Sequence, residues 1–138
     1  MQQLVVWRVG TRSFALPFPN VLRVVRAAAI APAPKDSPFV CGSVDIQGQL
    51  LPVIDLRMRF ELPRRSISPA DHFILACTPK RALVLWVDTV DGIFLQEDEA
   101  SIATQDPGVA ELADGMLLLQ DLERCLFPGN LLSSEAAH

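Results

Sequence analysis

Histidine is almost absent from this sequence of 138 residues, in which only His72 and His138 occur. A zinc site needs three or four protein ligands, and two distant histidines with dispersed cysteines do not supply them. Nucleophilic triads that rely on a histidine base are excluded on the same ground. We interpret His72, which follows Asp71, as a surface histidine at the start of a strand, with a catalytic base as the weaker alternative.

Cysteine is also scarce, and long apolar runs are missing. The three cysteines, Cys41, Cys77 and Cys125, are odd in number and lie in apolar sequence, which is typical of buried thiols in a reducing compartment. No apolar run approaches the roughly 18 residues of a membrane span, and the sequence begins directly with a strand pattern. These features predict a cytoplasmic protein without direct membrane insertion.

Basic residues form no continuous stripe. The net charge is −4 and the pI is about 5.0, and the twelve Lys and Arg residues are scattered in short clusters such as Arg64-Arg65. Binding of a nucleic acid depends on a concentration of positive charge on one face. A nucleic-acid partner is therefore not expected.

Carboxylates are plentiful but lack the patterns of catalytic or ion-binding sites. Asp55 and Asp121 do not lie in D-[ST]-G loops, and each precedes a leucine at a predicted helix start, which favours helix capping. Asp88, Asp91 and the acidic run 97–99 lack the alternating ligands of a calcium loop, so we expect a solvated face. A Gly-rich phosphate loop is missing as well. We therefore expect no cofactor and no enzymatic activity, and we expect the function to lie in the surfaces.

What the sequence does contain is a well-marked unit from Gly42 to Phe60, GSVDIQGQLLPVIDLRMRF. The pair Gln47-Gly48 between apolar runs predicts a tight hairpin turn, because glycine reaches positive φ without steric cost. Asp55 is placed to accept hydrogen bonds from the first amides of a short helix, predicted to end at about Leu62. Pro52 lacks an amide donor, so its strand is expected at a sheet edge or with a local irregularity.

The chain repeats this unit. GVAELADGMLLLQDLERCL, from Gly108 to Leu126, aligns with it without a gap at an offset of 66 residues, and Asp121 falls on Asp55. The segment that starts at Leu4 lies in the same way over the one that starts at Phe73, at an offset of 69. The repeated order of strands and the repeated Asp-Leu pair predict the duplication of a β unit.

Ten short strands, two short helices and proline-rich connections follow from this pattern. The expected strands are Leu4–Val9, Arg12–Phe18, Val21–Arg26, the two strands of the first hairpin, Phe73–Thr78, Arg81–Asp88, Val90–Leu95 and the two strands of the second hairpin. We expect loops at 27–38 and 96–107 and a joint between two halves at 63–71. This density of strands predicts an all-β protein built of two small barrels.

Nearly from end to end, the sequence resembles the CheW-like adaptor domains. The matching segments are FALPFPNVLRVV, the AIAPAP loop, FVCGSVDIQGQLLPVIDLRMRFELP, ALVLWVDTVDGI and LLLQDLERCLF, and the family pattern G-x-x-N-L-R-G-x-x-x-P-V-x-D-L in the central unit is the most specific. The resemblance implies one domain over 1–138, built of two SH3-like five-stranded barrels side by side. One half is expected at about 10–65 and the other at about 70–128 plus a strand at 3–9, with 129–138 as a frayed tail.

The resemblance also implies partners. CheW-like domains are non-catalytic scaffolds that link the cytoplasmic tips of methyl-accepting chemoreceptors to the regulatory domain of a CheA-type histidine kinase. Two positions depart from the family pattern, since Gln47 stands where arginine is usual and Arg23 where glutamate is common. If the two face each other, as the family implies, an acid–arginine pair has been replaced, and we expect an altered receptor partner.

The predicted partner-binding residues lie in both halves: Val21, Arg23, Val24, Gln47, Gly48, Leu50, Val90 and Ile93. For Val24 and Ile93, burial in the core is the alternative, and exposed apolar residues in their strands would favour an interface. The alternative function is a divergent CheW-like regulatory or ligand-binding module that no longer binds a standard receptor. A pocket lined by Arg23 is the expected sign of that alternative.

Overall fold

The computed structural model describes residues 1–96 and 102–128, and within them the chain is mostly β structure. The strands are β1 (Gln2–Val9), β2 (Arg12–Pro17), β3 (Val21–Arg26), β4 (Val40–Ile46), β5 (Gln49–Asp55), β6 (His72–Cys77), β7 (Ala82–Val87), β8 (Thr89–Gln96), β9 (Ile102–Ala103), β10 (Val109–Glu111) and β11 (Leu117–Leu119). Two helices, α1 (Leu56–Arg59) and α2 (Leu122–Leu126), follow the Asp-Leu pairs, and a 3-10 turn spans Phe18–Asn20. The ten expected strands are present, and β9 is an addition within a segment predicted to be a loop.

The strands form two sheets with the same internal order. Sheet I has the order β8-β1-β2-β11-β10-β9, and sheet II has the order β3-β6-β7-β5-β4. Apart from the two-residue strand β9, the repeat maps one sheet onto the other, with β8 on β3, β1 on β6, β2 on β7, β11 on β5 and β10 on β4. In each sheet one pair of neighbours is parallel, β11 with β2 and β5 with β7. The predicted pair of pseudo-symmetric five-stranded units is confirmed.

The two copies of the repeat exchange strands. β2 lies in sheet I beside β11, while β6 and β7 lie in sheet II between β3 and β5. The sheets therefore do not follow the expected halves at 10–65 and 70–128, although β1 does join sheet I together with β8. Sheet II is built by pairing β3 with β6 across the whole of the first hairpin unit, a long-range contact that local sequence patterns do not encode.

Three apolar clusters hold the sheets. The largest draws on both sheets and includes the fully buried Trp7, Phe14, Ile54, Leu85 and Leu126. A second cluster covers the other face of sheet II, and a smaller third cluster covers the other face of sheet I. Because β6 and β7 are buried on both faces, their sequences are continuous apolar runs without alternation.

The first hairpin has the predicted turn. Gln47 (φ 52°) and Gly48 (φ 82°) form its two central residues, and the Asp45 carboxylate accepts a hydrogen bond from the Gly48 amide at 2.8 Å.

Of the two alternatives predicted for the strand of Pro52, the edge position is wrong, because β5 lies between β4 and β7. A local irregularity is present, since the register of the β4–β5 ladder shifts between Val40 and Gly42. The parallel pairing with β7 begins at Val53, so the missing amide of Pro52 removes no hydrogen bond from that ladder.

Both helices begin at the predicted caps. The side chain of Asp55 accepts a hydrogen bond from the Arg57 amide at 2.9 Å, and that of Asp121 accepts one from the Arg124 amide at 3.2 Å. α1 is shorter than predicted, because Glu61 adopts a left-handed conformation with φ 55°. Neither helix in the described part of the chain has the length and apolar character needed to cross a membrane.

The predicted joint between the halves is held by a charged network. Arg65 donates to the two carboxylate oxygens of Asp71 at 2.8 and 2.6 Å and to Asp88 at 2.8 Å. The Trp86 indole donates to Asp71 at 2.9 Å, and the buried Arg57 pairs with Asp88. Burial opposes ionisation of Asp71, but hydrogen bonds from Arg65 and Trp86 outweigh it and lower its pKa to about 2. The joint is therefore tied to the end of β7.

Candidate partner-binding surface

The edge strand of sheet II contains a β-bulge that sets the direction of its side chains. Val21 lies opposite Ala76 and Arg23 lies opposite Leu75, so Leu22 is the extra residue. In a regular strand, two residues that are three positions apart point to opposite faces of the sheet. When a bulge inserts one extra residue between them, they point to the same face. Val21 and Val24 therefore both point toward the core shared by the two sheets.

The edge strand of sheet I repeats this arrangement. Val90 lies opposite Trp7 and Gly92 lies opposite Val6, so Asp91 is the extra residue of this bulge. Val90 and Ile93 consequently share a face, like their equivalents in β3. Each of these edge strands therefore has two apolar residues on the same face. The first lies next to the shared core, and the second, which we call the outlying residue, lies farther from it.

The outlying residues are exposed. Val21 and Val90 pack against the shared core, whereas Val24 is 40% exposed and Ile93 is 54% exposed. The alternative of core burial for Val24 and Ile93 is therefore wrong. Their exposure agrees with the expectation for an interface, because exposed apolar patches mark partner sites.

Each edge carries further exposed apolar residues that the sequence analysis did not nominate. They are Leu22 (58%) in β3 and Phe18 (41%) in the 3-10 turn before it, and Phe94 (51%) and Leu95 (66%) in β8. An apolar run such as Ile93-Phe94-Leu95 has the same sequence pattern in a buried strand and at an exposed edge. The position of the strand in the sheet decides between them, and that position is set by long-range pairing.

Gln47, Gly48 and Leu50 lie apart from the β3 edge, at the tip of the β4–β5 hairpin. Leu50 is 67% exposed there. The hairpin belongs to the same unit as β3, because Ala31 exchanges two backbone hydrogen bonds with Ser43 in β4, at 2.9 and 2.7 Å. This bridge links the two ends of sheet II.

Arg23 and Gln47 are both exposed, and no hydrogen bond joins them among the residues that the structure describes. Arg23 is also free of any ion pair within residues 1–96 and 102–128. The structure thus brings Val21, Arg23 and Val24 together on one strand. It places the turn residues on a separate hairpin, and Val90 and Ile93 on the other sheet.

A cleft of about 530 Å³ lies between the end of α1 and the strands β10 and β11. Its lining includes Arg12, Arg59, Glu61, Asp106 and Glu111, and Arg23 does not contribute to it. Within the cleft Arg59 is already engaged, since it donates to the carbonyl oxygen of Cys125 at 2.7 Å and to Asp106 at 3.3 Å. This polar cleft is not the Arg23-lined pocket expected for a ligand-binding module.

Several side chains of the types that are common in active sites form structural contacts. The Asp71 carboxylate binds Arg65 and Trp86, while His72 Nδ1 lies 3.4 Å from the carbonyl oxygen of Asp88. Burial raises the pKa of Cys41 to about 11 and that of Cys125 to about 12, which keeps both thiols protonated. Within the two described ranges, no three His, Cys, Asp or Glu side chains are grouped to hold a metal ion. What the geometry offers is two apolar edges suited to binding.

Known proteins are similar to this chain in sequence. A family model described as CheW-like domain matches residues 3–128. A probable chemotaxis protein CheW of Rhizobium etli is 30% identical over an alignment of 145 positions, which spans 97% of this chain and 88% of that protein. Protein FrzA of Myxococcus xanthus is 30% identical over 92 residues, which cover 67% of this chain and only 58% of FrzA.

The fold is found in a solved structure as well. The crystal structure of the scaffolding protein TtCheW from Thermoanaerobacter tengcongensis superposes with a TM-score of 0.71 at 22% sequence identity. The superposition covers 85% of this chain and 87% of TtCheW. The two packed β units are therefore a known architecture.

Proposed function

This chain belongs to the CheW-like domain family, and on that premise we propose that it couples chemoreceptors to a kinase in a chemotaxis-like signalling pathway. In this proposal it is a non-catalytic scaffold in the cytoplasm that binds the cytoplasmic tips of methyl-accepting chemoreceptors and the regulatory domain of a CheA-type histidine kinase. The observation that carries the proposal is the presence of two separate exposed apolar edges, β3 and β8, in a domain matched by the family from residue 3 to residue 128.

Two edges support the proposal because a coupling protein must hold two partners at the same time. β3 terminates sheet II and β8 terminates sheet I, so their surfaces are on different strands of different sheets. Exposed apolar patches of this kind are typical of protein-binding sites. Neither nucleic-acid binding nor membrane insertion forms part of the proposal.

A second candidate function is a CheW-like regulatory module that no longer binds a standard receptor. It is favoured by Arg23 and Gln47, which depart from the usual family residues and form no hydrogen bond with each other in the described part of the chain. A ligand-binding version of this alternative has less support, because the cleft of about 530 Å³ is not lined by Arg23.

The test is a binding assay with both proposed partners. Soluble receptor-tip fragments and the kinase regulatory domain, each from the genome that encodes this chain, are titrated separately with the purified protein. We expect dissociation constants of tens of micromolar or tighter for both, within the range of transient signalling contacts. Binding to the kinase domain alone supports the regulatory module, and binding to neither overturns the scaffold proposal.

A further inference from the structure

The polar cleft of about 530 Å³ opens at one end of the core that the two sheets share. Leu117 of β11 lies opposite Phe14 of β2 and opposite Glu111 of β10, so these three side chains are on one face of sheet I. Arg12, two residues before Phe14 in β2, is on that face as well. Because Phe14 and Leu117 belong to the shared core, Arg12 and Glu111 lie at the end of that core.

The opposite wall of the cleft is the end of α1. Arg59, Phe60 and Glu61 line it, and the ring of Phe60 packs on that of Phe14 with 5.0 Å between the centroids. The cleft therefore lies between sheet I and the helix that follows sheet II. Small molecules commonly bind between packed units of a protein, in clefts of roughly 300–1,000 Å³.

The charged side chains of the cleft fall into two groups. Arg59 and Asp106 form an ion pair at 3.3 Å. Arg12, Glu61 and Glu111 form no side-chain hydrogen bond or ion pair with any residue that the structure describes, although they line the same cleft. Opposite charges that share a cleft without touching suit a molecule that has a negative group for Arg12 and a positive group for the two glutamates.

Glu61 occupies a position that glycine usually takes. It follows the last turn of α1 with φ 55°, and the Leu62 amide donates to the carbonyl oxygen of Arg57 at 2.9 Å, as in a Schellman motif. Glycine adopts this left-handed conformation without strain, whereas a residue with a Cβ atom is strained in it. The chain thus has a carboxylate at the cleft against the preference of the local backbone.

We propose that this cleft binds a small zwitterion of the amino-acid type with an apolar side chain. The carboxylate of the ligand pairs with Arg12, because a guanidinium group donates two parallel hydrogen bonds to a carboxylate. Its ammonium group pairs with Glu61 and Glu111, and its apolar side chain contacts Phe60 and Leu117.

This ligand site goes beyond the proposed function. It lies at β10 and β11, on the side of sheet I away from β8 and in a different sheet from β3. Ligand binding is therefore compatible with the coupling of two partners through those edges, and it requires neither of them.

The first test uses L-leucine and two analogues that each lack one of its charges. N-acetyl-L-leucine has no ammonium group, and L-leucinamide has no carboxylate. Each compound is titrated into the isotope-labelled full chain, and the backbone amide shifts are followed by NMR. We expect saturable shifts of the amides around the cleft, a dissociation constant of about 1 mM for leucine, and binding about tenfold weaker for both analogues.

Three results of this titration would overturn the inference. They are the lack of saturable shifts at about 20 mM leucine, shifts that are confined to residues outside the cleft, and an analogue that binds as tightly as leucine. In the third case, one of the two charged groups of the ligand makes no contact. The titration contains neither receptor nor kinase, so its outcome does not depend on the proposed function.

The second test changes the cleft itself. Arg12→Gln should weaken leucine binding about tenfold, because the carboxylate loses its charged partner. Arg26→Gln is the matched control, since Arg26 is exposed on β3 and forms no ion pair with any described residue, and it should bind leucine like the wild type. Equal affinity of these two variants would contradict the assigned site.

Glu61→Gly separates a ligand contact from a structural role. Because glycine relieves the left-handed conformation, this variant should unfold at the same temperature as the wild type or a higher one, and it should bind leucine about tenfold more weakly. Unchanged leucine affinity, or weaker binding that accompanies a lower unfolding temperature, would show that Glu61 is not a ligand-binding residue and would overturn the inference.

Discussion

Leu22 and Asp91 are equivalent residues, 69 positions apart, and each is the residue inserted by a β-bulge in the edge strand of its sheet. Both copies of the repeat contain the β-bulge, but the side chain of the inserted residue differs between them. Leu22 is 58% exposed and adds to an apolar edge beside Arg23 and Arg26, which form no ion pair with any described residue, whereas Asp91 pairs with Arg8 at 3.4 Å. The two edges therefore share a backbone shape and differ in chemistry, which fits the proposal that they bind different partners.

The first prediction concerns the two outlying apolar residues. Val24→Asp should weaken binding of one partner, and Ile93→Asp should weaken binding of the other, by about tenfold or more because each puts a charge into an apolar contact. Stability should fall by only about 1 kcal/mol in each variant, because both side chains are exposed and the main cost is the low strand propensity of aspartate. Affinity for each partner and urea unfolding are measured on the same samples.

Ile102→Asp is the matched control, because Ile102 is 67% exposed on β9, which lies at the opposite edge of sheet I from β8 and in a different sheet from β3. It should leave both affinities unchanged. Loss of binding in this control equal to that in the two edge variants would show that the edges are not the binding surfaces.

The sequence predicts the local features of this fold well. The turn at Gln47-Gly48 and the caps Asp55 and Asp121 depend on residues within four positions of each other, and all three are confirmed. The offsets of 66 and 69 residues likewise predict the pseudo-symmetry of the sheets, because a duplicated pattern folds into a duplicated unit.

Long-range features could not be predicted in the same way. Which strands meet in space decides two features of the sheets. One is the exchange of β2 for β6 and β7 between the two copies, and the other is the addition of β9. The bulges at Leu22 and Asp91 leave no mark in the composition of their strands, yet they decide which side chains are exposed. For the candidate site, the strands were predictable and the directions of their side chains were not.

The second prediction concerns the two helix caps. Asp55→Ala should lower the free energy of unfolding by about 1–2 kcal/mol, because a buried capping carboxylate is lost, and Asp121→Ala by about 0.5–1 kcal/mol at its exposed position. Asp55→Asn and Asp121→Asn should retain most of the stability, since asparagine also caps helices. Urea unfolding measures all four variants, and an unchanged midpoint for Asp55→Ala would contradict the assigned cap.

The third prediction follows from the network at Asp71. Its folded-state pKa of about 2 lies below the unfolded value of about 3.9, so its stabilisation is complete above about pH 5 and is lost as the pH falls toward 2. Between pH 7 and pH 3, the wild type should lose about 1 kcal/mol more stability than Asp71→Asn, which cannot titrate. Urea unfolding at the two pH values measures this difference.

The control for this prediction is Asp36→Asn, an exposed carboxylate outside the network. It should follow the wild type at both pH values. Identical pH dependence of the wild type and Asp71→Asn would mean that the Arg65 and Trp86 contacts do not hold Asp71 ionised.

The fourth prediction concerns the equivalent glycines at the start of the two repeated units. A Cβ atom on Gly42 would overlap the carbonyl oxygen of Ala31, and one on Gly108 would overlap that of Asp121. Alanine at either position should therefore cost about 2 kcal/mol or more, because the backbone must move. Gly10→Ala, with φ 59° and open space around it, should cost only about 1 kcal/mol. Thermal unfolding ranks the three variants, and equal losses would contradict the close packing at Gly42 and Gly108.

The central claim, that this chain couples a receptor to a kinase, is tested most directly by reconstitution. Receptor-containing vesicles and the CheA-type kinase are combined with and without this protein, and kinase autophosphorylation is measured with and without receptor ligand. We predict receptor-dependent, ligand-sensitive kinase activity only when this protein is present, and its loss in both Val24→Asp and Ile93→Asp. The same kinase activity with and without the protein would contradict the account.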